Sequence, residues 1–404
     1  MNVEEIRKDF PILLDKHNKE HKPMIYFDNA CMSLKPECVI SEMLRYYHEF
    51  SACGGRSIHY LSRRVSEEVE KAREEIASFF GCKDAREFVF VKNTTEAINL
   101  VSYGLNLKRG DVVLTSDKEH NSNLVPWQML SKKKGIEHRI VPTREDNTLD
   151  IEVFEEFVKG ASLVSIVHTS NLDGYTMPAK EIIEIAHEHD ALVLLDGAQS
   201  APHMPIDLKK LDVDLFAFSL HKMLGPTGVG CLYGKYEILK KLEPFITGGD
   251  TVDDTTYTSA QFKDVPSKFE AGLGNYAGYV GAGEAIRYLK KVGMKNIREH
   301  EIKLNRIIDR ELREFDGLKI IGPEDASLRG GITSFVVEGI DSHDIALILS
   351  EGSRIFVRSG AFCVHSWFNS RRVPPALRVS LYIYNTKEEC KIFIERLKEV
   401  LSLL

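Results

Sequence analysis

The chain has 404 residues, 43% of them hydrophobic and 28% charged. That is enough for a large core and excludes a disordered or low-complexity polymer. With 53 basic against 60 acidic residues the net charge is −7, so no overall basic field exists to hold nucleic acid or an acidic membrane.

The first twenty residues alternate charge with apolar side chains. They read as neither a secretory signal nor an Arg-rich transit peptide, and no stretch approaches the roughly 18 uncharged apolar residues of a membrane span. The expectation is a cytosolic protein. The seven cysteines, Cys31, Cys38, Cys53, Cys82, Cys231, Cys363 and Cys390, are scattered, with no CxxC and no zinc spacing. Reduced thiols and no metal site are expected, and a single catalytic cysteine is compatible with that pattern.

Short apolar runs rich in β-branched residues predict strands at 87–91, 112–115, 162–168, 191–196, 215–219 and 230–233. Several are too continuously apolar to have a wet face, which implies a sheet covered on both sides. Helical periodicity lies between them at 65–80, 96–105, 151–158 and 179–189. The β-α-β-α order predicts an α/β domain with a largely parallel sheet. After about residue 290 a long amphipathic helix (294–315) precedes strands at 318–321, 332–337 and 355–358, with helices at 342–352 and 387–401. This predicts a smaller α+β domain. The expected division is an N-terminal segment 1–20 packing with the small domain, a large domain 21–290 and a small domain 291–404.

Ligands in open parallel sheets sit at the C-terminal ends of strands, so the polar residues there carry the most information. The 215–219 strand runs out through Ser219 and Leu220 into His221 and Lys222, then a Gly/Pro-rich loop. A lysine there is either an ordinary solvated cation or an amine that attaches to an aldehyde cofactor. Asp196 ends the strand at 191–196, 26 residues earlier. Alone it reads as a cap. Paired with a lysine, it is the carboxylate that keeps a pyridine nitrogen protonated. Asn93-Thr94-Thr95-Glu96 opens a helix after a strand, as a simple cap or a phosphate cup. His120 follows the strand at 112–115, and His168 and Asn171 follow that at 162–168. Each reads as a loop or satisfied structural residue, with His120 alternatively an imidazole that stacks on an aromatic ring and moves protons, and Asn171 alternatively a hydrogen-bond partner for a phenolic oxygen. No GxxxxGK[ST] loop and no GxGxxG fingerprint accompanies them.

Together these segments resemble the pyridoxal-phosphate site of the class V aminotransferases of fold-type I, and most closely the SUF-type cysteine desulfurase/selenocysteine lyase branch. The resemblance extends over nearly the whole chain, through Ile6 to Leu13, Tyr26-Phe27-Asp28-Asn29-Ala30 as a first strand, Arg56-Ser57-Ile58-His59, Glu119-His120, Phe269-Glu270-Ala271-Gly272 and Tyr384-Asn385-Thr386. It implies a mainly parallel seven-stranded sheet with helices on both faces, a smaller α+β domain and a homodimer. It also implies that Lys222 holds pyridoxal 5′-phosphate, Asp196 pairs with the ring nitrogen and His120 stacks on the ring. Asn171 and Gln199 lie near the phenolic oxygen. Thr95, Ser219 and His221, with Thr94 nearby, hold the phosphate. Arg378, with Asn171 and Arg358, binds the substrate. Arg358-Ser359-Gly360-Ala361-Phe362-Cys363 resembles the branch's Arg-x-Gly-x-x-Cys motif and puts Cys363 at the sulfur-accepting position.

The implied activity converts L-cysteine to L-alanine and a Cys363 persulfide, passed to a sulfur-acceptor or scaffold protein for iron–sulfur or other thio-cofactor synthesis. Selenocysteine lyase, cysteine-sulfinate desulfinase, or another class V lyase or epimerase shares the same lysine site, and a non-catalytic protein retaining the fold is the reading from another class. Two departures stand out. Ala361 and Phe362 replace two histidines usual in the branch. Leu273 replaces a threonine that usually reaches the neighbouring subunit's phosphate, with Thr251 or Thr255 as candidate substitutes. Arg371 and Arg372 read as a solvated basic pair or a patch for an acidic partner.

Overall fold

The computed structural model describes residues 1–14 and 24–404. The expected N-terminal segment 1–20 therefore falls partly outside the described residues. Within them, Phe10 packs edge-on against Tyr384, with ring centroids 4.7 Å apart, and Arg7 donates to the Tyr384 carbonyl at 2.6 Å.

Seven strands form the large sheet, in the spatial order Phe88–Val91, Gly230–Gly234, Leu215–Ser219, Leu192–Asp196, Ala161–Val167, Val112–Ser116 and Glu137–Val141. All pairings are parallel except those of Gly230–Gly234, which runs against both neighbours. The strand period of two sends alternate residues to opposite faces. Phe216, Phe218, Val193 and Leu195 enter one core with helices Tyr60–Phe79 and Ala179–Glu188. Leu215, Ala217 and Leu194 enter another with Thr94–Gly104 and Asn121–Lys134. Both faces are dry, as the continuous apolar runs imply.

The six expected strands form within one or two residues of their expected bounds, and Glu137–Val141 is the seventh. Among the helices with no expected counterpart, Tyr276–Val292 packs against both Glu37–Glu49 and the Tyr60–Phe79 helix. Gly293, at φ +87°, separates Tyr276–Val292 from Met294–Leu312.

A second, antiparallel sheet has the order Leu318–Ile321, Ile332–Val337, Ala376–Ser380, Arg358–Gly360. Helices Met294–Leu312, Ser342–Ser353 and Lys387–Leu403 cover it through Leu304, Ile308, Leu349, Phe393 and Leu397. The expected strand at 355–358 divides at Val357. Ile355–Phe356 pairs in parallel with Ile25–Tyr26, while Arg358–Gly360 joins the second sheet. The expected first strand around Tyr26 thus belongs to this small pair and not to the large sheet. A bridge from Asp28 to Ser380 ties the chain just after this small pair to the second sheet.

Candidate active site

The C-terminal ends of the parallel strands meet the second sheet at a cavity of about 220 Å³. Thr94, Thr95, His120, Asn171, Asp196, Gln199, Ser219, His221, Lys222, Arg358, Cys363 and Arg378, every residue expected at the site, line it. His168 does not. It is buried against Phe216, its Nδ1 unpartnered and its pKa pushed down to about 4 by burial.

Asp196 ends its strand buried, and its Oδ1 accepts from the Ala198 N–H at 2.9 Å. Burial raises its pKa, against the Ala198 hydrogen bond and the charge of Lys222. Lys222 closes a single 3-10 turn that leaves the neighbouring strand, and its amine makes no hydrogen bond among the described residues. Burial lowers its pKa, with Asp196 acting the other way. The lysine is therefore closer to a free amine than a solvated one is.

The helix Thr94–Gly104 starts at the cavity. Asn93 caps it, its Oδ1 accepting from the Glu96 N–H at 3.0 Å. Ser219 Oγ accepts from the Thr94 N–H at 2.8 Å and pairs with the Thr94 hydroxyl at 2.7 Å. The Thr95 hydroxyl pairs with Ser122 Oγ at 2.7 Å. A β-carbon on Gly230 would lie 2.6 Å from Asn93 Cα, so only glycine lets the antiparallel strand pass under this helix start. Hydroxyls gathered at a helix N-terminus suit an anion.

His120 caps the helix Asn121–Lys134. The Ser122 N–H donates to its Nδ1 at 3.1 Å, which leaves the ring proton on Nε2. Burial, then the charges of Lys222 and Arg378, push its pKa down to about 3, so the imidazole is neutral. His221 is likewise pushed down to about 4, chiefly by burial.

Arg378 and Arg358 are direct partners across adjacent strands. Arg378 donates to the Asn171 carbonyl at 3.0 Å and to Asp28 Oδ1 at 3.2 Å, and its buried Nε has no partner. Next to it, Phe362 and Cys363 adopt successive left-handed conformations, φ +50° and +60°. Such geometry costs a non-glycine residue about 1–2 kcal/mol, and here two hydrogen bonds hold it. Asn171 Nδ2 donates to the Phe362 carbonyl at 2.8 Å, and the Asn121 N–H donates to the Cys363 carbonyl at 2.7 Å. The bend turns the Cys363 thiol into the cavity.

The class-V aminotransferase family matches residues 25–393. The chain is 39% identical to a cysteine desulfurase of Haloferax volcanii, over 96% of this chain and 94% of that one. Among solved structures, the cysteine desulfurase of Thermococcus onnurineus NA1 superposes with a TM-score of 0.94 at 36% identity, covering 99% of this chain and 98% of that one. The cysteine desulfurase CsdA of Escherichia coli gives 0.91 at 29% identity, covering 100% and 99%. The chain belongs to the class-V aminotransferase family.

The cofactor of this class-V protein is pyridoxal 5′-phosphate, and the cavity's donor set fits it. Lys222 offers an unpaired amine, Asp196 a buried carboxylate, and the hydroxyls of Thr94, Thr95 and Ser219 an anion cup. Gln199, whose Nε2 is spent on the Ala30 carbonyl at 2.7 Å, leaves its buried Oε1 unpartnered.

Among the other lining residues Cys31, Ser122, Thr169 and Ala198 carry no expectation from the sequence, while Asn93 belongs to the expected helix opening and Phe362, the departure from the branch, forms part of the wall. Asp28, the carboxylate partner of Arg378, sits 350 residues away in the chain, and no spacing rule connects the two. Thr251 does not replace the missing threonine at 273. It is buried, with its hydroxyl donating to the Gly248 carbonyl at 2.8 Å. Thr255 is exposed on the Val252–Thr255 strand of a separate hairpin. Arg371 is no solvated cation either. It donates to the Thr143 carbonyl at 2.8 Å and to Asp117 at 3.2 Å, while Arg372 is exposed.

Proposed function

We propose that this protein is a pyridoxal-phosphate-dependent cysteine desulfurase that converts L-cysteine to L-alanine and leaves the sulfur as a persulfide on Cys363. The observation that carries the reading is that Lys222, Asp196, Arg378 and Cys363 all open on one cavity. Bound there, pyridoxal 5′-phosphate supplies an aldehyde for amines and a ring that withdraws electrons from the substrate α-carbon. Lys222 is the residue that holds it, Asp196 the carboxylate for its ring nitrogen, His120 the neutral ring that stacks on it, and Asn171 and Gln199 the groups for its phenolic oxygen. Thr94, Thr95, Ser219 and His221 form the phosphate cup.

Arg378 clamps the substrate carboxylate through its unpartnered Nε side, with Asn171 and Arg358 beside it. Lys222, its pKa lowered by burial, takes the α-proton. The Cys363 thiolate attacks the substrate sulfur. The substrate's carbon–sulfur bond breaks, a sulfur–sulfur bond forms, and the three-carbon remainder gains protons to become alanine.

Several features extend the reading. An exposed Leu273, 64% accessible, rims a second cavity of about 650 Å³ with Phe245, Ile246 and Tyr276, which supports a homodimer across this face. The half-buried Cys363 supports hand-over of sulfur to an acceptor or scaffold protein for iron–sulfur or other thio-cofactor assembly. No helix among the described residues is long and apolar enough to cross a membrane, and we place the protein in the cytoplasm.

The deciding test is intact-mass analysis of the yellow, pyridoxal-loaded enzyme after adding L-cysteine, with alanine measured in the same tube. Alanine with one added sulfur on Cys363 is expected. Normal amounts of protein-bound sulfur from Cys363→Ala overturn the reading. Selenocysteine and cysteine sulfinate, which eliminate with less need of a thiolate, serve as comparison substrates. If either of them far outpaces cysteine in the wild-type enzyme, the lyase or desulfinase reading takes over.

A further inference from the structure

Two thiols, not one, face the cavity. Among the described residues Cys31 and Cys363 line it, whereas Cys82, Cys231 and Cys390 are buried elsewhere and Cys38 and Cys53 lie outside it. Cys31 is exposed and Cys363 half-buried, so the pair runs from the interior of the cavity towards solvent. Both act on the charge of Lys222, and Cys31 also acts on that of Arg378. All four side chains line the same cavity.

Cys31 sits on a fixed turn. The Ala30 N–H donates to Ser380 Oγ at 2.9 Å, Gln199 donates to the Ala30 carbonyl at 2.7 Å, and the Cys31 N–H donates to the Asp28 carbonyl at 3.1 Å. The Tyr26 hydroxyl donates to the Met32 carbonyl at 2.8 Å on the far side. The same wall carries two buried polar atoms with no partner, Gln199 Oε1 and Arg378 Nε. Those two atoms are the ones assigned to the cofactor's phenolic oxygen and the substrate carboxylate, so the held turn presents Cys31 on the wall where cofactor and substrate are bound.

We propose that Cys31 is a second sulfur carrier, receiving the sulfane sulfur from the Cys363 persulfide and presenting it at the cavity mouth to an acceptor thiol. The Cys31 thiolate attacks the outer sulfur of the persulfide. A new sulfur–sulfur bond forms on Cys31, the bond to Cys363 breaks, Cys363 leaves as thiolate, and the proton from Cys31 goes to solvent. The exchange is redox-neutral and needs no oxidant. It rests on the desulfurase reading, because Cys363 must be loaded first.

The test uses the pyridoxal-loaded enzyme and sulfur-labelled L-cysteine, with alkylation to trap persulfides, peptide mapping and alanine measured alongside. Label on both Cys363 and Cys31 is expected in the wild type. Loss of label from Cys31 is expected in Cys363→Ala, and in Cys31→Ser a several-fold slower delivery to a bulky thiol acceptor, with Cys31→Ala as the second variant. Alanine and labelled Cys363 with Cys31 never labelled overturns the relay and leaves the desulfurase reading standing. A Cys31–Cys363 disulfide with free sulfide, which means attack on the inner sulfur, does the same, whereas label on Cys31 in Cys363→Ala overturns both the relay and the assignment of the first persulfide to Cys363. If neither alanine nor labelled Cys363 appears, the desulfurase reading itself has failed.

Discussion

The guanidinium of Arg378 lies over the ring of Phe362, its central carbon 4.8 Å from the ring centroid. Asn171 closes the triangle, donating from Nδ2 to the Phe362 carbonyl and accepting from Arg378 on its own carbonyl. One residue later comes Cys363. The group proposed to grip substrate and the group proposed to attack it therefore both adjoin the same aromatic ring. This gives a physical role to a position where the related branch usually has histidine.

A guanidinium–ring contact of this kind contributes about 1 kcal/mol. Phe362→Ala is expected to raise KM for cysteine roughly fivefold, with a smaller change in kcat, and Phe362→Tyr to restore it. Phe362→His tests the charge. Its KM should climb as pH falls through the histidine range, because an imidazolium repels Arg378. Steady-state alanine formation across pH checks this, and an unchanged KM in Phe362→Ala counts against the stacking role.

Asp196 is buried with one backbone donor and the Lys222 charge as its compensation. Asp196→Asn keeps the shape and removes the charge. The expected result is a fall in alanine formation of roughly a hundredfold or more, the scale on which charge-stabilising groups act, with the cofactor still attached to Lys222. Borohydride fixation followed by mass analysis of the Lys222 peptide separates the two effects. Loss of attachment would make Asp196 a binding group first.

Asp196 was legible because it ends a strand, and Lys222 because it closely follows one. An apolar run such as Leu215–Ser219 has no polar face, so the first polar residues after it mark the ligand edge. Glu137–Val141 was not legible. It is an edge strand whose first four residues are exposed or half-buried, so Glu137, His138 and Arg139 look like loop. The Tyr276–Val292 helix hides behind its glycines. A β-carbon on Gly281 would come within 2.7 Å of Met43 Cγ, and one on Gly283 within 2.9 Å of Ala72 Cβ, so packing selects the residues that lower helix propensity. From a turn ahead of the sheet Cys31 reaches the cavity and Asp28 reaches Arg378, by tertiary folding alone.

Three buried histidines each make a part of the fold's stability acid-sensitive. His120, His168 and His221 are held at about 3, about 4 and about 4, chiefly by burial. Each is neutral in the native state, while the unfolded chain takes up protons near about 6.5. Their contribution is complete above that value and is lost as pH falls through the window below it. Glu119 works the other way. Burial raises it to about 7, although Ser116, Val167 and Asn123 all donate to it. Its contribution is complete below the ordinary glutamate range and is lost as pH rises to about 7. For His168 alone, which lies outside the cavity, the loss between about pH 7 and about pH 5 is about 2 kcal/mol. Urea unfolding at those two values should show it, and His168→Gln should flatten the difference. Equal slopes in both proteins would mean His168 titrates normally.

The helix His365–Arg371 anchors the Cys363 loop from behind. Trp367 Nε1 donates to Asn147 Oδ1 at 3.0 Å, and the Asn147 carbonyl accepts at 2.8 Å from Lys118, which pairs with Asp173 at 3.0 Å where both side chains are wholly buried. Trp367→Phe preserves an aromatic ring against Phe368 but leaves the buried Asn147 oxygen without its donor. An orphaned buried acceptor costs about 1–3 kcal/mol. The cost should fall locally, because the anchor lies in the loop and not in the sheet. Hydrogen exchange is expected to quicken for amides of residues 361–371 while those of Leu215–Ser219 keep their protection, and persulfide formation on Cys363 should slow with cofactor content unchanged. Uniform loss of protection across both segments would show instead that Trp367 supports the whole core.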